Sequence, residues 1–243
     1  MGIKMKKCMI FAAGSFDAGA LIGKTQNDIM AQRGECFCIA ADGGLDIVHK
    51  LRITPDLIIG DMDSLKNKEL PEHFAGNKYI QNKYIQNKYI QNKFIQIKRL
   101  PREKDDTDTL AAIKEGLGAG CGYFEIYGAL GGRLDHTIAN IQCLYYLLNH
   151  NAYGCLYGKG QRIELVRNSR LCFPEKLCRR NRMVSVFALG ETAFGVTQTG
   201  LKYAFQNADV RPDFPMGISN EFIGSEASIE VKNGTLLVCL EDL

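Results

Sequence analysis

Four short apolar runs, at residues 8–13, 36–41, 57–60 and 123–128, each break off into glycines, carboxylates or both. That repeated ending constrains the fold more than any other feature. Runs this short and this continuously apolar suit strands covered on both faces. Between them lie stretches with helical spacing, at 17–32, 45–51 and 107–117. The clearest is 134–150, where Leu134, Ile138, Ile141, Tyr145 and Leu148 mark one face. A further strand is expected at 94–100. Strands alternating with helices predict an α/β domain over residues 1–160, built on a doubly wound, mostly parallel sheet.

Beyond residue 160 the texture changes. Residues 163–166, 183–189, 195–197, 227–231 and 235–240 are short alternating or β-branched runs separated by Gly, Asn and Asp. They predict an all-β sandwich over 161–243, with the last two runs joined as a hairpin through Lys232, Asn233 and Gly234. One segment fits neither half. Asn-Lys-Tyr-Ile-Gln begins at Asn77, Asn82 and Asn87 and returns as Asn92-Lys-Phe-Ile-Gln. A five-residue period matches neither a helix face nor strand alternation. The insert at 77–96 therefore reads as a local duplication enlarging a surface connection, not as an adhesive arm, since loop closure grows costly only slowly with length.

Composition excludes several classes. A hydrophobic share of 46% over 243 residues is enough to bury a core. A net charge of +3, with no dense basic face, argues against nucleic acid. No apolar stretch approaches the roughly 20 residues of a membrane span, and the run at 8–13 is too short for a secretory signal. The nine cysteines are scattered with no Cys-x-x-Cys pair, which favours reduced thiols in a cytoplasmic protein over zinc or disulfides.

In an open α/β sheet, ligands bind beyond the carboxyl ends of the strands. There the chain supplies Asp42, Gly43 and Gly44, then Asp61, Asp63 and Ser64, then Lys104, Asp105, Asp106, Thr107 and Asp108. The fourth run ends in Gly128, Gly131, Gly132, Arg133, Asp135 and His136. Asp61 and Asp63 share a side if the chain is extended, and Asp105 or Asp106 is placed to cap a helix. The remaining acids need a cation among them. Hard oxygen ligands without His or Cys favour Mg²⁺, with Asp61, Asp63 and Asp108 as its contacts. The glycine loop offers backbone N–H groups and a helix start to phosphate, and Arg133 adds a bidentate fork. Neither a Walker A loop nor a dinucleotide fingerprint is present. His136 reads as a hydrogen-bonding partner. These features predict a metal–polyphosphate enzyme of the phosphoryl or pyrophosphoryl transfer kind, with a nucleotide hydrolase or a non-catalytic sensor as alternatives.

Ala41-Asp42-Gly43-Gly44, Gly60-Asp61-Met62-Asp63-Ser64, Lys104-Asp105-Asp106-Thr107-Asp108 and the stretch from Gly128 to Asn140 resemble the successive motifs of thiamine pyrophosphokinases. Gly200-Leu201-Lys202-Tyr203 and the segment Gly217 to Phe222 resemble that family's thiamine-binding β-domain. The resemblance implies transfer of pyrophosphate from ATP to thiamine, with Mg²⁺, in a homodimer whose active sites lie between subunits. It implies catalytic and metal-binding roles for Asp42, Asp61, Asp63 and Asp108. Arg133, Asp135, His136 and Asn140 fall in the nucleotide-side motif, and Ser219 and Asn220 would meet thiamine. The chain has no tryptophan, so aromatic packing on thiamine falls to Phe or Tyr, with Phe222 and Tyr203 as candidates.

Overall fold

The computed structural model describes residues 5–33, 35–76 and 95–242. The repeat therefore lies outside the described residues, apart from Ile95 and Gln96. Six strands run parallel: β1 (Lys6–Phe11), β2 (Cys36–Ala41), β3 (Leu57–Gly60), β4 (Gln96–Arg99), β5 (Cys121–Tyr127) and β6 (Tyr153–Gly158). Their spatial order is β6-β5-β1-β2-β3-β4. Among the described residues five helices connect them: α1 (Gln26–Gln32), α2 (Gly44–Lys50), α3 (Leu70–Gly76), α4 (Asp108–Gly118) and α5 (Leu134–Asn149).

Alternation along β1 divides the core. Met9 and Phe11 pack with Ile29, Leu45, Val48, Leu70 and Phe74 of α1, α2 and α3. Cys8 and Ile10 pack on the other face with Ala112 and Ile113 of α4 and with Leu144 and Leu147 of α5. A strand buried on both faces has no polar positions to alternate, which is why these runs are continuously apolar. The predicted doubly wound sheet is present.

The sheet does not stop at residue 160. A hairpin through Lys159 and Gly160 joins β6 to antiparallel β7 (Gln161–Arg167). The same sheet then continues through β14 (Thr235–Asp242), β9 (Arg182–Ala188) and β12 (Asn220–Glu221). A second sheet of β11 (Ala208–Val210), β10 (Ala193–Thr199), β13 (Ala227–Glu230) and β8 (Arg170–Phe173) packs against this extension. Val184, Val186, Leu236 and Val238 from one sheet meet Phe173, Val196 and Ile229 from the other. The sandwich is thus half borrowed from the sheet that carries the α/β half.

Three local expectations fail. Residues 227–231 and 235–240 do not form a hairpin, because β13 pairs with β10 and β8, while β14 pairs with β7 and β9. The short link crosses between the sheets instead; Val231 is buried there, and Gly234 turns at φ +115 against Ala193. The helix expected at 17–32 is broken. Asp17 caps a single 3₁₀ turn, Gly23 takes φ +75, and a Thr25–Asp28 capping box restarts the chain as α1. In α5 the buried face is Asn140, Cys143, Leu144 and Leu147, whereas Leu134 is 74% and Ile138 51% exposed.

The N-terminus of α2 fits against the end of β1 with no room to spare. A Cβ at Gly44 would sit 1.8 Å from the Phe11 carbonyl oxygen, backbone that cannot yield cheaply. Gly118, at the end of α4, has nothing within 4 Å of such an atom. Gly44→Ala should therefore lose at least ~2 kcal/mol in urea denaturation. Gly118→Ala should gain about 0.4–1 kcal/mol. Equal effects would contradict this packing.

Candidate active site

Successive connections lead outward from β1 to β4, and the chain then returns to β5 on the other side of β1. The strand order reverses between β1 and β5, so the crevice of such a sheet opens at their carboxyl ends. The two loops there are stitched together. Gly14 N donates to Gly128 O at 2.8 Å, and Ser15 N to Leu130 O at 3.1 Å. A Cβ on Gly14 would lie 2.4 Å from the Gly128 oxygen. Sequence reasoning passed over Gly14 and Ser15, because their place at the reversal is visible only once the strand order is known.

Three of the predicted acids converge. Carboxylate oxygens of Asp42, Asp61 and Asp108 lie within 4.8 Å of one another, at the ends of β2 and β3 and at the start of α4. Asp42 is buried, with φ +46, and its Oδ1 has no hydrogen-bond partner. The Lys104 ammonium reaches into the group, 3.1 Å from Asp108 Oδ1 and 3.5 Å from Asp61 Oδ2. Burial opposes the charge on Lys104, but the Asp108 and Asp61 carboxylates outweigh it and hold its pKa above the usual lysine value. Burial pushes the Asp108 carboxyl up, against the pull of Lys104.

Asp63 stands apart from this group. Met62 takes φ +64, so the chain is not extended and the shared-side argument for Asp61 and Asp63 does not apply. Asp63 N instead donates to Asp61 Oδ1 at 3.1 Å. The Asp63 carboxylate faces solvent, bound to Arg102 at 3.2 Å and to the Ser64 hydroxyl at 3.1 Å, and these partners hold its pKa low. Lys68 grips the Met62 and Asp63 carbonyls at 3.0 and 2.6 Å, a clamp the sequence did not signal.

The nucleotide-side candidates divide into packing residues and exposed ones. Gly43 and Gly44 begin α2 and let it approach β1. Thr107, not Asp105 or Asp106, caps α4 by accepting from Leu110 N at 3.2 Å; Asp106 pairs with Lys114 and Asp105 is exposed. Asn140 is buried and donates to Ala129 O at 2.8 Å, which ties α5 to the glycine loop. Gly131, Gly132, Arg133, Asp135 and His136 are exposed. Arg133 and Asp135 form a bidentate pair at 3.1 and 2.5 Å. Arg133 is the N-cap position of α5 and makes no side-chain cap; His136 N donates to Asp135 Oδ1 at 2.9 Å, so an anion would meet the first-turn N–H groups of Leu134 and Asp135.

Ser219 and Asn220 lie far from the acids. In the long sheet β12 is seven strand steps from β2 and eight from β3. At about 4.8 Å per step this is on the order of 35 Å within one chain. Phe222 is buried against Phe173, with ring centroids 5.5 Å apart, so it belongs to the core; Tyr203 is exposed.

The catalytic-domain model of thiamin pyrophosphokinases matches residues 32–156, and the family's vitamin B1 binding domain matches residues 172–236. The chain belongs to the thiamin pyrophosphokinase family. A thiamine pyrophosphokinase of Bacillus subtilis (strain 168) is 29% identical over 136 residues. That alignment covers 56% of this chain and 63% of the relative, less than two thirds of its length. A solved thiamine pyrophosphokinase from Bacillus subtilis superposes with a TM-score of 0.77 at 23% identity, over 98% of this chain and 99% of that one. The yeast thiamin pyrophosphokinase structure gives 0.72 at 15% identity, over 100% of this chain and 88% of that one. The thiamin pyrophosphokinase fold therefore spans both halves of the chain.

The raised Asp108 carboxyl carries a sign that can be checked. Its proton is held more tightly in the folded protein than in the unfolded chain, so ionisation costs stability. That cost is complete above the folded-state pKa and absent below the ordinary value of 3.8. Without added metal, Asp108→Asn should melt at or above the unmodified protein at pH 7, and the gap should close as the pH falls towards 4. A variant melting several degrees lower at pH 7 would contradict the direction.

Proposed function

We propose that this chain transfers a pyrophosphoryl group from ATP to the hydroxyl of thiamine, giving thiamine diphosphate and AMP, with Mg²⁺ at Asp42, Asp61 and Asp108. The observation that carries the reading is the convergence of those three carboxylates at the ends of parallel strands. The donor set fits the ion. It is all oxygen, and Asp42 Oδ1 is buried with no hydrogen-bond partner among the described residues, as a metal-facing oxygen would be. When bound, the cation neutralises triphosphate charge and the charge developing on the departing AMP.

The chain's own residues do the rest. Lys104 keeps Asp61 and Asp108 close in the absence of any cation, and is placed to turn its ammonium to a phosphate oxygen once one arrives. The open first turn of α5, with Gly131 and Gly132, receives phosphate through backbone N–H groups. Arg133 is exposed and can leave Asp135 for a phosphate oxygen. Asp108 either orients the thiamine hydroxyl for in-line attack on the β-phosphorus or serves only the cation. Asp63 is assigned to holding the loop through Arg102 and Ser64. We divide the chain near residue 160 into a catalytic half and a thiamine-binding half, and place it in the cytoplasm, in keeping with nine free cysteine thiols.

One chain cannot bring Ser219 to the acids across roughly 35 Å of sheet. A homodimer with each site between subunits supplies the missing half. Exposed Leu134 and Ile138 beside the glycine loop, and Tyr203, Phe214, Ile218 and Ile223 around Ser219, are the apolar surface such a contact would cover.

Incubation with ATP, Mg²⁺ and thiamine should yield AMP and thiamine diphosphate together, and neither without thiamine. Release of ADP or phosphate without thiamine would sink the acceptor assignment. Asp42→Asn, Asp61→Asn and Asp108→Asn should each lower turnover ~10²-fold or more. Asp63→Asn should stay within roughly tenfold, the scale of a positioning contact. Mixing Asp108→Asn with Ser219→Lys should restore activity to about a quarter of the unmodified level, since random pairing leaves one intact site in each mixed dimer. No restoration on mixing would place both halves of the site in one subunit.

A further inference from the structure

We propose that Gln198 is a positioning residue for thiamine binding, acting through Asn220; this rests on the function proposed above. Asn220 cannot itself offer much to a substrate. It is 2% exposed and its amide is fully used inside the protein. Nδ2 donates to Gln198 Oε1 at 3.0 Å and to Tyr203 O at 3.1 Å. Oδ1 accepts from Tyr203 N at 3.0 Å and from Glu221 N at 2.9 Å. The side chain thus pairs with both backbone groups of Tyr203 as a neighbouring strand would. It locks the segment carrying Tyr203 to the segment carrying Ser219.

Among the described residues, Gln198 supplies the one side-chain partner of that amide. It lies on β10 in the second sheet, 1% exposed, and reaches across the sandwich to β12 of the first. An Asn amide turned end for end would set its oxygen against the Gln198 oxygen and its NH₂ against two backbone N–H groups. The Tyr203 and Glu221 backbone groups therefore set the orientation, and Gln198 Oε1 accepts the amide hydrogen they leave over. Its own Nε2 is buried without a partner. A leucine would remove that orphan but leave one buried Asn220 N–H without its acceptor, so the glutamine is accounted for by the oxygen that completes the lock. Ser219, held at φ +56 with its N–H on the Ser185 hydroxyl at 3.0 Å, directly precedes Asn220 in sequence.

The test uses the full chain with ATP, Mg²⁺ and thiamine. Gln198→Leu, which removes the acceptor at similar volume, should raise the thiamine KM at least tenfold. Its kcat and ATP KM should stay within threefold. Gln198→Glu keeps an acceptor oxygen and should return the thiamine KM to within threefold of the unmodified protein. Amide exchange at Tyr203, followed in the same proteins without substrate, should be at least tenfold faster in the leucine variant. Gln198→Met takes its place if the leucine variant does not fold. Faster exchange with an unchanged thiamine KM overturns the functional role, and unchanged exchange overturns the lock itself. Absence of thiamine-dependent AMP in the unmodified protein instead defeats the proposed reaction, while the exchange readout still decides the lock.

Discussion

Like charges held at close range are the constraint on which the rest of this molecule depends. Two ionised carboxylates 4.8 Å apart repel by roughly 3.5 kcal/mol at an effective dielectric near 20, and Asp42, Asp61 and Asp108 make three such pairs. The fold keeps them together by two means. Lys104 sits between Asp61 and Asp108, and the backbone leaves Asp42 no other place. Gly44 packs α2 directly on the end of β1, and Asp42 in its left-handed conformation turns between β2 and that helix. A bound cation relieves the repulsion at an edge loaded with charge in this way, and such edges are where activity is obtained at the expense of stability.

The ten-stranded sheet distributes the remaining work. Its parallel part places acids and the glycine loop at one edge. Its antiparallel extension carries the chain outward until Ser219 and Asn220 stand about seven strands away. A sheet of this kind gives each half a rigid frame but also separates them, and the proposed dimer rests on that separation. The exposed apolar residues beside Leu134 and around Ile218 are the surface that the proposed dimer would cover.

Much of this was legible in the sequence, and the failures have common causes. The strand ends could be read because both-face burial removes polar alternation and leaves the functional residues as sharp terminations. Lys104, Asp61 and Asp108 stand out in the sequence for that reason, and the fold brings their side chains together. The expectation that Asp63 shares a side with Asp61 failed because it assumed an extended chain, whereas Met62 turns through a left-handed conformation. The apolar face of α5 was drawn through Leu134 and Ile138, since periodicity cannot distinguish a core stripe from an apolar rim at a site. Sequence proximity likewise suggested a hairpin at 227–240, but β13 and β14 belong to different sheets. The role of Asn220 was hidden most deeply, because its partners Gln198 and Tyr203 are distant in sequence and the bonds are made side chain to backbone.

The central claim is that Asp42, not Asp63, completes the cation site with Asp61 and Asp108. Binding of Mn²⁺, followed by electron paramagnetic resonance in the presence of a non-hydrolysable ATP analogue, tests it most directly. The account predicts that Asp63→Asn binds Mn²⁺ as the unmodified protein does, while Asp42→Asn loses that binding at least tenfold. Retained binding in Asp42→Asn together with loss in Asp63→Asn would contradict it.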